Sequence, residues 1–183
     1  RWGPASAAET AMGMGWHGEA SRVVWWVEQD AIEAGDRIEA VMAASLPQAG
    51  LMVKRTIRLS KTEAVFHVTE AVTNIKPLGR IYNMVQHPTI GPPFLDETTV
   101  VDANATKGFM QERSLPNPDE TVVMWPEAQQ MDGTVVNLRH LSDDAAPAVV
   151  SYIVEEEHGW TTAANAKQGL LIGYVWDTAE YPW

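Results

Sequence analysis

The sequence predicts an all-β fold, specifically an antiparallel β-sandwich. Many short segments alternate apolar with polar residues, turn residues separate these segments, and no long segment shows the period of an amphipathic helix. Successive strands without crossover helices are typical of sandwiches and barrels rather than of βαβ folds. Since the chain also lacks an internal repeat and a low-complexity linker, we expect a single β-sandwich domain over residues 1–183.

The first half of the chain has the clearer strand pattern. Residues 1–18 are rich in glycine and alanine, which predicts an irregular approach to the first strand. Apolar alternation and β-branched or aromatic residues then predict strands at residues 21–29, 36–44, 51–59, 63–74 and 78–85. Residues 31–34 favour one turn of helix, which Gly35 ends.

The second half begins with a loop rich in proline and glycine at residues 88–96. Shorter strands are predicted after it, at residues 98–101, 121–124, 134–138, 149–156 and 170–176. Residues 165–169 are polar and end in glycine, so they predict a turn between the later strands.

Composition excludes several classes of function. The net charge of −11 opposes binding to nucleic acid or to an anionic membrane surface, because both need clustered lysine and arginine. The absence of cysteine excludes disulfides, thiolate metal sites and a cysteine nucleophile. No apolar run is long enough to cross a bilayer, and no signal segment opens the chain. We therefore expect a soluble protein; the compartment stays open, with the cytoplasm favoured.

Motifs for metal, phosphate and serine chemistry are also missing. The sequence contains no His-x-His or His-Glu-x-x-His pair, no Gly-x-Ser-x-Gly elbow and no glycine-rich phosphate loop. We expect neither a metal nor a cofactor.

Two histidines lie where predicted strands meet loops. His87 follows the strand at residues 78–85 and precedes the loop at residues 88–96, so a strand end would hold its imidazole beside an opening. His17 lies between Trp16 and Gly18, just before the first strong strand, where glycine lets a ligand approach closely. The alternative for each is a structural histidine. Their common position at strand boundaries suggests that one face gathers both.

Tryptophan is abundant, with eight residues in the chain. Most must lie in the core, but a partly exposed indole offers a flat apolar face to the C–H side of a sugar. Trp16 and Trp125 are the candidates for such stacking.

Several segments together resemble the aldose 1-epimerases (galactose mutarotases). His17-Gly18, followed by Arg22 and Trp25, resembles the His-Gly segment of that family. Residues 53–59 and 68–74 resemble its paired central strands, the second ending at Asn74. Residues 84–88, Met-Val-Gln-His-Pro, stand where the family has its Asn-His-aromatic catalytic segment. The resemblance covers residues 12–110 and, more faintly, residues 159–183.

This resemblance implies a β-supersandwich of the galactose mutarotase type that binds a small sugar in a cleft. In the family, a general base removes the proton of the anomeric hydroxyl while a general acid protonates the ring oxygen, and the opened ring recloses as either anomer. By resemblance, His87 is the general acid, His17 binds sugar hydroxyls, and Arg55 has a supporting role. No cofactor is implied.

Three features depart from the family pattern. The family's glutamate base has no convincing match, since Glu180 lies in surroundings that resemble the loop before the base. The family's sugar-binding aspartate has no clear counterpart. Gln86 stands where the family usually has asparagine.

Because the chain starts at Arg1 and ends on Trp183, we expect a fragment, incomplete at both ends, that could form a homodimer through exposed strand edges.

The sequence therefore predicts a mutarotase-like isomerase. Two alternatives stay open: a sugar-binding module without catalysis, and a structural β-sandwich without a ligand.

Overall fold

A computed structural model describes residues 5–79, 81–110, 123–129, 133–140 and 150–181. Over these ranges the fold is all-β and its sheets are antiparallel, which confirms the predicted fold class. The chain divides into two compact units, Arg1–His87 and Pro88–Trp183, each of which is described by itself. The single domain expected over residues 1–183 stays a prediction. None of the described segments forms a helix long and apolar enough to span a membrane.

The first unit is built around one four-stranded sheet in which each strand pairs with the next along the chain. Its elements are α1 (Ala7–Ala11), β1 (Trp26–Ala34), β2 (Arg37–Leu46), β3 (Leu51–Ser60) and β4 (Phe66–Asn74). The β1–β2 hairpin turns at Gly35, whose φ of +67° lies in the left-handed region that glycine adopts without steric cost. Three of the strands, β2 to β4, lie close to their predicted positions.

The core of this unit lies on one face of the paired strands β2 and β3. Ala44, Leu46, Leu51 and Val53 form one buried cluster, and the two strands align Ala44 with Val53 and Leu46 with Leu51. Alternate residues of a strand share a face, which is why the period of two in the sequence delivers these side chains to one side of the sheet. The partly buried residues that pack against the cluster are Ala20, Val23, Trp25, Ala49, Val72 and Met84.

Three predictions for this unit were wrong. A short helix, α1, replaces part of the irregular approach, because Ser6 and Glu9 form a capping box that satisfies its first backbone N–H groups. Residues 31–34 extend β1 instead of forming a helical turn, because they pair with β2. The described residues at 78–85 are not in a strand: Ile81 is fully exposed, and apolar alternation without a neighbouring strand forms no ladder.

The second unit contains eight short strands within its described residues. They are β5 (Thr99–Ala103), β6 (Lys107–Met110), β7 (Val123–Met124), β8 (Glu127–Gln129), β9 (Val135–Asn137), β10 (Val150–Tyr152), β11 (His158–Asn165) and β12 (Leu170–Asp177). The sheets have the orders β12-β11-β5 and β10-β6-β7, with β8 paired to β9. Strands β6, β8 and β11 were not predicted. The predicted residues 121, 122 and 149 lie outside the described residues.

The loop rich in proline and glycine is anchored within this unit by the turn between β11 and β12, which was predicted at residues 165–169. Buried Asn165 donates from Nδ2 to the carbonyl of Phe94 at 2.7 Å, and Gln168 donates from Nε2 to the carbonyl of Pro93 at 2.5 Å. Asp96 accepts from both the backbone and the hydroxyl of Thr98, and these bonds, the hydroxyl first, lower the pKa of its carboxyl group. The loop is therefore a fixed element.

Candidate functional site

The first unit brings His17 and His87 together. Their imidazole centroids lie 6.1 Å apart with the ring planes tilted by 53°. Trp16 meets the His17 ring edge to face, with centroids 5.5 Å apart, and is itself 61% exposed. Three of the residues predicted to form a site are thus neighbours on an accessible surface.

The backbone at His17 is unusual for a residue with a side chain. Its φ is +64°, and Gly18 follows with φ +78°. A left-handed conformation costs a residue other than glycine about 1 to 2 kcal/mol, and asparagine, aspartate and histidine are the residues most often found there. Backbone strain of this kind is concentrated at functional sites, so it supports a role for the imidazole that this turn presents.

A buried carboxylate ties the segment that ends in His87 to the sheet. Glu70 on β4 lies opposite Arg55 on β3, and its side chain is only 3% exposed. Arg55 donates from Nε to Oε1 of Glu70 at 2.6 Å, with its Nη2 also in contact with that oxygen. Gln86 donates from Nε2 to the other oxygen, Oε2, at 2.5 Å. Glu70 thereby fixes the residue directly before His87.

Arg55 is also held from its other side. Its guanidinium carbon lies 4.6 Å from the centre of the Trp25 ring, within the range of a cation–π interaction. Arg55 was predicted to support the site. In the structure it bonds to Glu70, and Glu70 bonds to Gln86, the residue directly before His87. Sequence reasoning missed Glu70. The signal available was an arginine and a glutamate on successive predicted strands, but only the strand register makes them opposite.

This arrangement limits what each group can do chemically. The two imidazoles can donate or accept protons and hydrogen bonds near the surface. Glu70 has one oxygen engaged by Arg55 and the other by Gln86, so action as a general base would require it to give up these bonds. The described network therefore provides acid groups and hydrogen-bonding groups, with its carboxylate in a positioning role.

Trp125, the other tryptophan predicted to stack on a sugar, lies in the second unit. Its indole N–H donates to Oδ1 of Asp102 at 3.0 Å, and Arg139 donates from Nη2 to both oxygens of the same carboxylate. The Trp125 hydrogen bond above all, with the Ala103 N–H and Arg139, lowers the pKa of Asp102. The Trp125 ring meets the Tyr152 ring edge to face, with centroids 5.3 Å apart.

Tyr152 is expected to ionise near pH 12. Burial raises its pKa to about 12, and the Glu127 carboxylate adds to the rise. Because the folded state holds this proton more tightly than an unfolded phenol with a pKa near 10, the group stabilises the fold fully below about pH 10 and loses that contribution as the pH rises through about 12. The measurement is an absorbance titration of phenolate in wild type and Tyr152→Phe. A difference curve centred at pH 10 would contradict the assignment.

Among the described residues, no group of three or more histidine, aspartate or glutamate side chains could hold a metal ion. No family model, curated protein or solved structure matches the chain.

Proposed function

We propose that this protein binds a small sugar at the His17–His87 pair and interconverts its anomers by general acid–base catalysis. The observation that supports this most is the 6.1 Å separation of the two imidazole centroids. A hydrogen bond joins heavy atoms about 3 Å apart, so one small polar ligand can contact both rings at once.

Within this proposal His87 is the general acid. It donates a proton to the ring oxygen as the bond between that oxygen and the anomeric carbon breaks, while water at this exposed surface accepts the proton of the anomeric hydroxyl as the carbonyl forms. Both proton transfers reverse when the ring closes on either face of the carbonyl. His87 directly follows Gln86, and the buried Glu70 carboxylate holds Gln86 by a hydrogen bond. The imidazole therefore has a defined location although it is exposed to solvent. A fixed general acid retains its geometry between turnovers, which is what positioning by hydrogen bonds achieves.

His17 and Trp16 supply binding contacts. The imidazole of His17 forms hydrogen bonds with sugar hydroxyls, and the exposed indole of Trp16 covers an apolar C–H face of the ring. Residues 1–87 contain nine acidic and nine basic side chains, so the unit has no net positive charge to favour a phosphorylated sugar over an uncharged one.

A second candidate is a sugar-binding module that does not catalyse. The specific observation in its favour is Glu70, whose two oxygens are engaged by Arg55 and Gln86 and so are not poised to remove a proton. Binding through His17 and Trp16 needs no such base.

Two measurements on the wild-type chain separate these functions. Polarimetry on freshly dissolved glucose and galactose should show faster mutarotation than buffer alone, and saturation-transfer NMR with the same sugars should show transfer to bound sugar. Transfer without acceleration supports the binding module and overturns the isomerase. Neither acceleration nor transfer for any hexose tested overturns both.

A further inference from the structure

The second unit contains an aromatic cavity of about 290 Å³. Four aromatic side chains line it, Trp125, Tyr152, Trp160 and Trp176, and the other described lining residues are valine, alanine and threonine. A volume near 300 Å³ is at the small end for ligand sites, so the cavity suits a ligand of a few heavy atoms.

Three of the four aromatic residues direct their polar atoms to protein partners. The Trp125 N–H donates to Asp102, the Trp176 N–H donates to the carbonyl of Tyr181 at 3.1 Å, and the Tyr152 hydroxyl donates to the carbonyl of Glu127. The hydroxyl of Thr161 likewise donates to the backbone carbonyl of Asp102. The described walls therefore offer ring surfaces and very few hydrogen-bonding groups, which is a poor match to the many hydroxyls of a sugar.

Ring geometry favours a compact cation. Both Trp125 and Tyr152 line the cavity, and their planes are 85° apart in an edge-to-face contact, so the two rings do not form a flat stacking platform for a sugar. The face of an aromatic ring has negative electrostatic potential, and several faces around one site bind alkylated ammonium groups without needing hydrogen bonds.

The charge of the chain is concentrated in this unit. Residues 88–183 contain 15 acidic and 4 basic side chains, whereas residues 1–87 contain nine of each, so the whole net charge of −11 belongs to the unit with the cavity. A field of this sign raises the local concentration of cations and opposes anions.

We propose that this cavity is a binding site for an N-methylated ammonium group. Trp160 is the side chain best placed to test it, because it is the most exposed of the four aromatic residues, at 36%. The indole of Trp160 forms no hydrogen bond within the described part of the chain. The proposal does not depend on sugar binding by the first unit.

The test is a titration with choline followed by intrinsic fluorescence and by calorimetry. Choline should bind, and its neutral isostere, in which carbon replaces the ammonium nitrogen, should bind about tenfold more weakly, since the cation–π contribution is lost. A peptide with trimethyllysine, compared with the same peptide with unmethylated lysine, tests whether the ligand is a modified protein side chain instead of a free small molecule. Binding of choline or of the trimethyllysine peptide supports the site.

Three variants locate the binding. Trp160→Leu should weaken choline binding about tenfold, and Trp160→Phe, which keeps a ring, should recover most of the affinity. Trp26→Leu is the matched control, because Trp26 is also exposed, at 42%, but lies on β1 of the first unit. Equal affinity for choline and its isostere, no binding of either methylated probe, or equal losses in Trp160→Leu and Trp26→Leu would each overturn the proposal.

Discussion

Replacing His87 with alanine is expected to slow the proposed anomer interconversion by about 10²-fold to 10⁴-fold, the usual contribution of a positioned general acid or base. The substitution removes the proposed general acid and leaves the ring oxygen to be protonated by water. The measurement is the mutarotation rate by polarimetry, with saturation-transfer NMR to follow sugar binding separately. Binding should persist, because His17 and Trp16 remain, so the loss should be in kcat more than in KM.

His67→Ala is the matched control for that experiment. His67 lies on β4 of the same unit, where it is exposed and paired in register with Arg58. The His67→Ala substitution removes a histidine side chain from the same unit and leaves the His17–His87 pair unchanged. Equal rates in the two variants would show that His87 has no catalytic role.

Replacing Leu51 with alanine is expected to reduce the free energy of unfolding by about 2 to 5 kcal/mol. Leu51 is 5% exposed and belongs to the buried cluster with Ala44, Leu46 and Val53, so truncation removes apolar contacts and leaves a cavity on the face of the sheet that carries this cluster. Denaturant unfolding followed by circular dichroism measures the change, as a lower midpoint with an unchanged slope.

Leu59→Ala makes the same chemical change on the same strand. Leu59 is 46% exposed near the far end of β3, so its truncation should cost about 0.5 kcal/mol or less. If both variants lost stability equally, the buried cluster around Leu51 would not be the core of this unit.

The strands that the sequence predicted best are those with a clear apolar alternation. In β3 the buried residues Leu51 and Val53 alternate with less buried neighbours, so the period of two in the sequence matches burial on one face. In β2 both faces carry buried residues, Ala43 on one and Ala44 on the other. Strand β11 was missed for the opposite reason. It is the central strand between β12 and β5, and its Thr-Thr-Ala-Ala-Asn segment has no clear apolar alternation. Its pairing with two neighbours, which the local sequence does not encode, makes it a strand.

The candidate site was predictable only in part. His17 and His87 stood out because each lies beside turn-forming residues, and the fold of the first unit places them together. Glu70 did not stand out, because its contacts depend on tertiary structure. The pairing of β3 with β4 sets Glu70 opposite Arg55, and the segment after β4 folds back to bring Gln86 to the same carboxylate. Contacts between residues distant in sequence are fixed by tertiary structure, so a local pattern could not reveal this network.

One pairing in the second unit has an evolutionary consequence. Gly159 on β11 lies opposite Trp176 on β12, and a Cβ atom at position 159 would lie 2.2 Å from the indole. The glycine thus leaves room for the ring, and a larger residue at position 159 would clash with the indole while Trp176 stays. In diverging descendants of this sequence, a larger residue at position 159 should occur together with a smaller one at position 176. Such paired substitution would identify relatives after most of the remaining sequence has changed.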